Sequence, residues 1–168
     1  MSLTHLDAAG RARMVDIGSK PVTARRAVAE GRVVMSAEAF AQVQSASIAK
    51  GDVIAVAELA AVMGAKRTSD LIPLCHPVAL DQVSVTVELE PSWPGVRVVA
   101  VAAATSRTGV EMEALVAVSV GCLTVYDMVK AADRGMRIEG IRLLEKSGGQ
   151  RGDWLATGEQ DQHATEEE

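Results

Sequence analysis

Aromatic side chains are scarce in this 168-residue chain, where Phe40, Trp93, Tyr126 and Trp154 are the full set. So few rings make a poor stacking platform for the bases of a nucleic-acid strand. Cysteine is scarcer still. Cys75 and Cys122 stand far apart with no CxxC partner, a usage that suits reduced thiols better than a disulfide framework, and metal-ligand spacings are missing too. No apolar run approaches the roughly twenty residues of a membrane span. The N-terminal MSLTHLDAAGRARMVDIG lacks the charged start and apolar centre of a signal peptide. A cytoplasmic protein is expected, with no membrane partner. GxGxxG and Walker patterns are also absent, which argues against a P-loop nucleotide hydrolase. A basic excess is the last thing lacking: the net charge is −5, and the tail after Thr157 holds five carboxylates (Glu159, Asp161, Glu166, Glu167, Glu168). The remainder carries 17 basic against 22 − 5 = 17 acidic groups. A neutral body with no basic footprint is not built for a nucleic-acid polymer.

The chain does have enough apolar residues, 48% of the total against 23% charged, to bury one substantial core. The organisation expected is a single domain over 1–156 and an acidic, disordered tail over 157–168. RRAVAEGRVVMS (25–36) reads as an extended element. SAEAFAQVQSAS follows, with Ser36 as N-cap and Ala39, Phe40 and Val43 at helical spacing. A second helix starts at the N-cap Asp52. Val53, Val56, Ala60 and Met63 form its apolar stripe, and Gly64 is its stop. The period then changes to two: Val83, Val85, Val87 and Leu89 alternate with polar residues, PSWPG turns, and VRVVAVAAATS returns as the other strand of a hairpin. Residues 110–134 read as the longest helix, with Leu115, Val118, Cys122, Val125 and Val129 on one stripe and Gly135 as its stop. Gly121 in its middle points to a close backbone neighbour. MRIEGIRLLEK supplies a last strand. This order predicts an α+β fold, a ferredoxin-like two-layer sandwich whose antiparallel sheet packs against helices, preceded by an N-terminal extension.

Several polar residues stand where a plain core would not put them. In DLIPLCHPV, Pro73 and Pro77 hold Leu74, Cys75 and His76 in a short stiff segment, which is how a loop presents a side chain. Asp127 and Lys130 are i,i+3 neighbours, and an ordinary surface ion pair explains them as well as chemistry does. Glu111 and Glu113 open the long helix, where its dipole welcomes carboxylates. Lys146 precedes a glycine pair, a setting for phosphate or for any turn. Lys50 lies at a helix start, where a cation is misplaced unless an anion sits nearby. The chain prefers arginine to lysine, yet four of its five lysines, Lys50, Lys66, Lys130 and Lys146, occupy such positions. Lysine offers a movable pKa and a point-like ammonium for phosphate.

Five segments, THLDAAGRARMVDIGSKP, KGDVIAVAELAAVMGAKRTSDLIPLCHP, TGVEMEAL, TVYDMVKA and RLLEKSGGQRGD, resemble in sequence and in order the molybdenum cofactor biosynthesis protein C family, the cyclic pyranopterin monophosphate synthases. The likeness runs from about Leu3 to Trp154, and only the acidic tail departs from it. It implies a lyase acting on a cyclised dihydro-GTP, with cyclic pyranopterin monophosphate and pyrophosphate as products. Such a rearrangement calls for repeated proton transfer and a cationic seat for a triphosphate. No redox cofactor is required; a divalent metal can accompany the triphosphate, although no residue pattern indicates one.

Carried over by position, the resemblance makes Asp127, Lys50 and Lys130 the catalytic residues. Leu74, Cys75, His76, Met112, Glu113, Glu111, Arg25 and Lys146 become the substrate-binding ones. Glu113 and Asp127 would lie roughly 21 Å apart along one helix, too far for one small ligand to bridge. A site using both ends is easier to build where helices of two subunits run past each other, and the resemblance adds a homohexamer built as a trimer of dimers with sites at the dimer interface. Two other readings share the same pocket or fold: a non-catalytic nucleotide-binding module, and an oligomer with a purely structural role.

Overall fold

A computed structural model of the chain describes residues 10–150 and 152–156; the acidic tail and the expected boundary after residue 156 lie outside them. The elements run β1 (Thr23–Val34), α1 (Ala37–Gln44), α2 (Val53–Ala65), α3 (Thr68–Leu71), β2 (Gln82–Glu90), β3 (Gly95–Ser106), α4 (Glu111–Val129), β4 (Arg137–Ser147) and β5 (Trp154–Leu155). All the strands join one antiparallel sheet in the order β2-β3-β1-β4-β5. Without α1, α3 and β5, the remainder is β1-α2-β2-β3-α4-β4 with β1 and β3 central, the ferredoxin-like sandwich expected. Residues 10–22 form the extension before it. The two-residue β5 had no strand signal of its own.

The caps are where the side-chain chemistry puts them. Ser36 Oγ accepts from the Ala39 N–H at 3.3 Å, and Asp52 Oδ1 accepts from the Ala55 N–H at 3.0 Å. Along β3, Val96, Val98, Ala100, Ala102 and Ala104 are buried in alternation with less buried residues, and Ala27, Ala29 and Val33 do the same on β1. Alanine recurs because α4 lies close: a Cβ added at Gly31 would fall 2.7 Å from Val118 Cγ1.

The same closeness corrects the reading of α2. The face turned inward is Val53, Ala57, Ala61 and Gly64, whereas Val56 and Met63 are 43% and 54% exposed. Small residues on α2 make the room that α4 occupies. A Cβ at Gly64 would meet Val120 Cγ2 at 2.8 Å, and one at Gly121 would meet Val98 Cγ1 at 3.1 Å and Ala61 Cβ at 3.4 Å. Gly121 therefore has the close neighbour expected of it, while Gly64 is a packing residue inside a helix that runs on to Ala65.

The long helix is shorter than 110–134. It ends at Val129, and the chain is then held by Asp133, whose carboxylate accepts from the backbone N–H groups of Ser36 and Gly135, each at 2.7 Å. Val118, Cys122, Val125 and Val129 are fully buried along the expected stripe. At 19 residues with a mean hydropathy of 1.6, α4 has the length and composition of a membrane span, which the sequence reading did not recognise; here it is the core helix, packed on α2 and the sheet.

Candidate active site

Two polar clusters occupy opposite ends of α4. At its N-terminal end a cleft of about 420 Å³ gathers Leu74, Cys75 and His76 from the loop after α3, Arg25 from β1, Glu111, Met112 and Glu113 from the first turn of α4, and Lys146 from the end of β4. All eight residues expected to bind substrate are in its wall. The loop is shaped locally: Thr68 Oγ1 donates to Ala65 O at 3.0 Å, and the Cys75 N–H turns back to Ile72 O at 3.1 Å. Pro73 and Pro77 then limit the backbone on either side.

Arg25 is aimed by its surroundings. Its Nε donates to Ser106 O at 3.4 Å and its Nη2 to Arg107 O at 3.5 Å, and its guanidinium lies against Gly149. A side chain at Gly149 would overlap that guanidinium, and one at Gly148 would overlap Ala24 O; both glycines have positive φ, +85° and +87°. The SGG turn thus exists to let β1 and its arginine close in. Lys146 Nζ stands 3.7 Å from Glu111 Oε1, an ion pair with both partners half-buried.

Glu113 is different, with only 4% of its surface exposed. Burial raises its carboxyl above the ordinary carboxylate range; its own backbone N–H pulls the other way, and nearby Glu111 adds to the rise. Burial, and then Glu113, push the Cys75 thiol up. A thiol so placed is a poor nucleophile and contributes shape to the wall.

Lys20, Arg107, Thr108 and Gln150 also line the cleft, and the sequence reading singled out none of them. Lysine preference was a sound signal applied to the wrong member: Lys20, the fifth lysine, is in the cleft, while Lys66 stands exposed as the C-cap of α2, where a helix end favours any cation. The place of Lys20 in the DIGSKP segment was the available clue.

At the other end of α4, Asp127 holds two ammonium groups. Lys50 Nζ donates to Asp127 Oδ2 at 2.8 Å and to its backbone O at 2.7 Å, and Lys130 Nζ donates to Oδ1 at 2.7 Å. With each oxygen so occupied, the hydrogen bonds from Lys130 and then Lys50 pull the carboxyl down to about 2. Lys50 therefore has the anion that its place before α2 demanded. The cluster is open to solvent, and none of its members lines the cleft. By helical rise it is about 21 Å from Glu113. The cleft offers lysine, arginine and imidazole groups for a polyanion and the buried carboxyl of Glu113 for a ring; the second cluster offers two cations to polarise or protonate.

A model of the MoaC family matches residues 14–149. A cyclic pyranopterin monophosphate synthase of Methylobacterium sp. (strain 4-46) is 60% identical over 155 residues, covering 92% of this chain and 97% of the relative. The protein of the same name from Brucella ovis is 59% identical over 155 residues, covering 92% of this chain and 94% of its own.

Proposed function

The chain belongs to the MoaC family and serves molybdenum cofactor biosynthesis; from that premise we propose that it converts a cyclised dihydro-GTP to cyclic pyranopterin monophosphate and pyrophosphate. The observation that carries this reading is the convergence of eight residues, drawn from three elements and a loop, on one cleft that holds both cations and carboxyls. Arg25, Lys146, Lys20 and His76 are the seat for the triphosphate, and Glu113 faces the guanine-derived ring. Lys50 and Lys130 polarise or protonate the rearranging ring, and Asp127 holds both in place. An acid/base role for Asp127 itself is less suited to a carboxyl pulled down to about 2, because proton transfer is most effective near the working pH.

Both clusters serve one substrate only if a second copy brings its Lys50–Asp127–Lys130 end to the cleft. The exposed apolar residues of the helix layer, Val56, Leu59, Met63 and Leu123, support such pairing. The resemblance extends it to a trimer of dimers, in the cytoplasm, with no redox cofactor. The test is to incubate purified protein with the cyclised dihydro-GTP and to follow pyranopterin and pyrophosphate, beside an Asp127→Ala control. Product from the first protein and none from the control supports the reading. Nucleotide binding without turnover in the wild type replaces it with a non-catalytic binding module.

A further inference from the structure

Glu113 is the most buried carboxylate among the described residues, and the helix start with its own backbone N–H is what favours its ionised form. The cleft that Glu113 lines also presents these charged or titratable groups: Glu111 from its own helix, Cys75 and His76 from the loop after α3, Arg25 from β1, Lys146 from β4, and Lys20 and Arg107 from the flanking segments. Lys146 is paired with Glu111, and Arg25 is directed to the carbonyls of Ser106 and Arg107. Among the described residues no lysine or arginine pairs with Glu113, whose nearest influences are its own N–H, Glu111 and Cys75. A ring entering the cleft would strip away more of its water, and desolvation favours the neutral form.

We propose that Glu113 meets the ring of its ligand as a carboxylic acid, its O–H donating to a ring carbonyl and its C=O accepting from the adjacent ring N–H. That donor–acceptor pair fits the lactam edge of a guanine-derived ring. An ionised carboxylate, which only accepts, would instead take the ring N–H together with the exocyclic amine. Glu113 is thereby a specificity residue that reads the carbonyl side of the base and leaves the amine side unread. The inference rests on the nucleotide-substrate reading above.

Calorimetry with GTP and inosine triphosphate separates the two modes, because inosine keeps the lactam and lacks the amine. In the wild type the two nucleotides should bind within about threefold of each other, and binding should take up a proton, seen by comparing buffers of different ionisation heat. Glu113→Gln, which keeps one donor and one acceptor, should hold GTP within about fivefold of wild type and lose the uptake, whereas Glu113→Ala should weaken it at least about tenfold. A preference for GTP over inosine triphosphate of about tenfold or more overturns the proposal, as does a glutamine variant as weak as the alanine one, or a wild type that binds neither nucleotide. Turnover of the cyclised dihydro-GTP is assayed on the same wild-type preparation. Failure there counts against the enzymatic reading, while the nucleotide ratio still decides the state of Glu113.

Discussion

Removing one lysine from the Asp127 cluster distinguishes a carboxylate that works as a base from one that holds cations. Lys50→Met leaves Oδ1 bound to Lys130 and frees Oδ2, whose partner now stands at 2.8 Å; Lys130→Met does the converse at 2.7 Å. The carboxyl lies at about 2 against an ordinary 3.8, and two similar contacts account for the difference. Each single variant should therefore raise it by on the order of one pH unit, and the double variant should return it close to the ordinary value. The assay is the carboxyl carbon shift of Asp127 followed through acid pH by NMR. The sign for stability follows. A depressed folded-state pKa contributes stability above the unfolded value, near 4, and that contribution is lost as pH falls toward 2. The contribution is small because the carboxylate is exposed and screened. At neutral pH Asp127 stays ionised in every variant and becomes a better base, so a mechanism resting on its basicity predicts undiminished turnover in Lys50→Met. A mechanism resting on the ammonium predicts a loss of about 10²–10⁴-fold. A carboxyl that does not move, or turnover within tenfold of wild type, refutes the assignment.

Mixing separately inactive Lys50→Ala and Glu113→Ala proteins should restore about a quarter of wild-type activity when subunits exchange freely, since half of random dimers are mixed and each has one intact site; no recovery places the whole site within one chain. Gly31→Ala should lose about 1–3 kcal/mol in urea unfolding at fixed protomer concentration, because its Cβ would fall 2.7 Å from Val118 Cγ1 and 3.0 Å from Ile141 Cγ1. Adding Val118→Ala should cost less than the two single changes sum to, and strict additivity denies the contact. Glu30 has a side chain only 14% exposed; burial alone would raise its pKa, but Arg97 and Arg142 bring it below the ordinary 4.5. Glu30→Gln should therefore destabilise by about 1.5–3 kcal/mol at neutral pH, with the gap from wild type closing as the pH falls through the depressed folded-state value of Glu30; a gap that persists in acid would show that the ion pairs are not its source.

The strands, caps and hairpin were legible because each rests on local chemistry. Ser36 and Asp52 cap helices by their own side chains, and period two in Val83 to Leu89 leaves a strand little choice. The face of α2 was not legible for a physical reason. Hydrophobicity ranks Val56 and Met63 above Ala57, Ala61 and Gly64, but where α4 presses Val120 against α2 there is room only for small residues on α2, so volume, and not hydropathy, decides which side turns in. The overlarge apolar residues were pushed outward, and an outward apolar stripe is itself information about a surface that wants cover. The site divided along the same line. Its members could be named from matched segments, yet the segments are silent on distance. Lys50 and Asp127 are far apart in sequence and in direct contact, while Asp127 and Glu113 share one helix and stand roughly 21 Å apart along it. That separation is what the proposed pairing answers: an exposed apolar helix layer and a Lys50–Asp127–Lys130 cluster outside the cleft are two oddities that one second subunit would account for together.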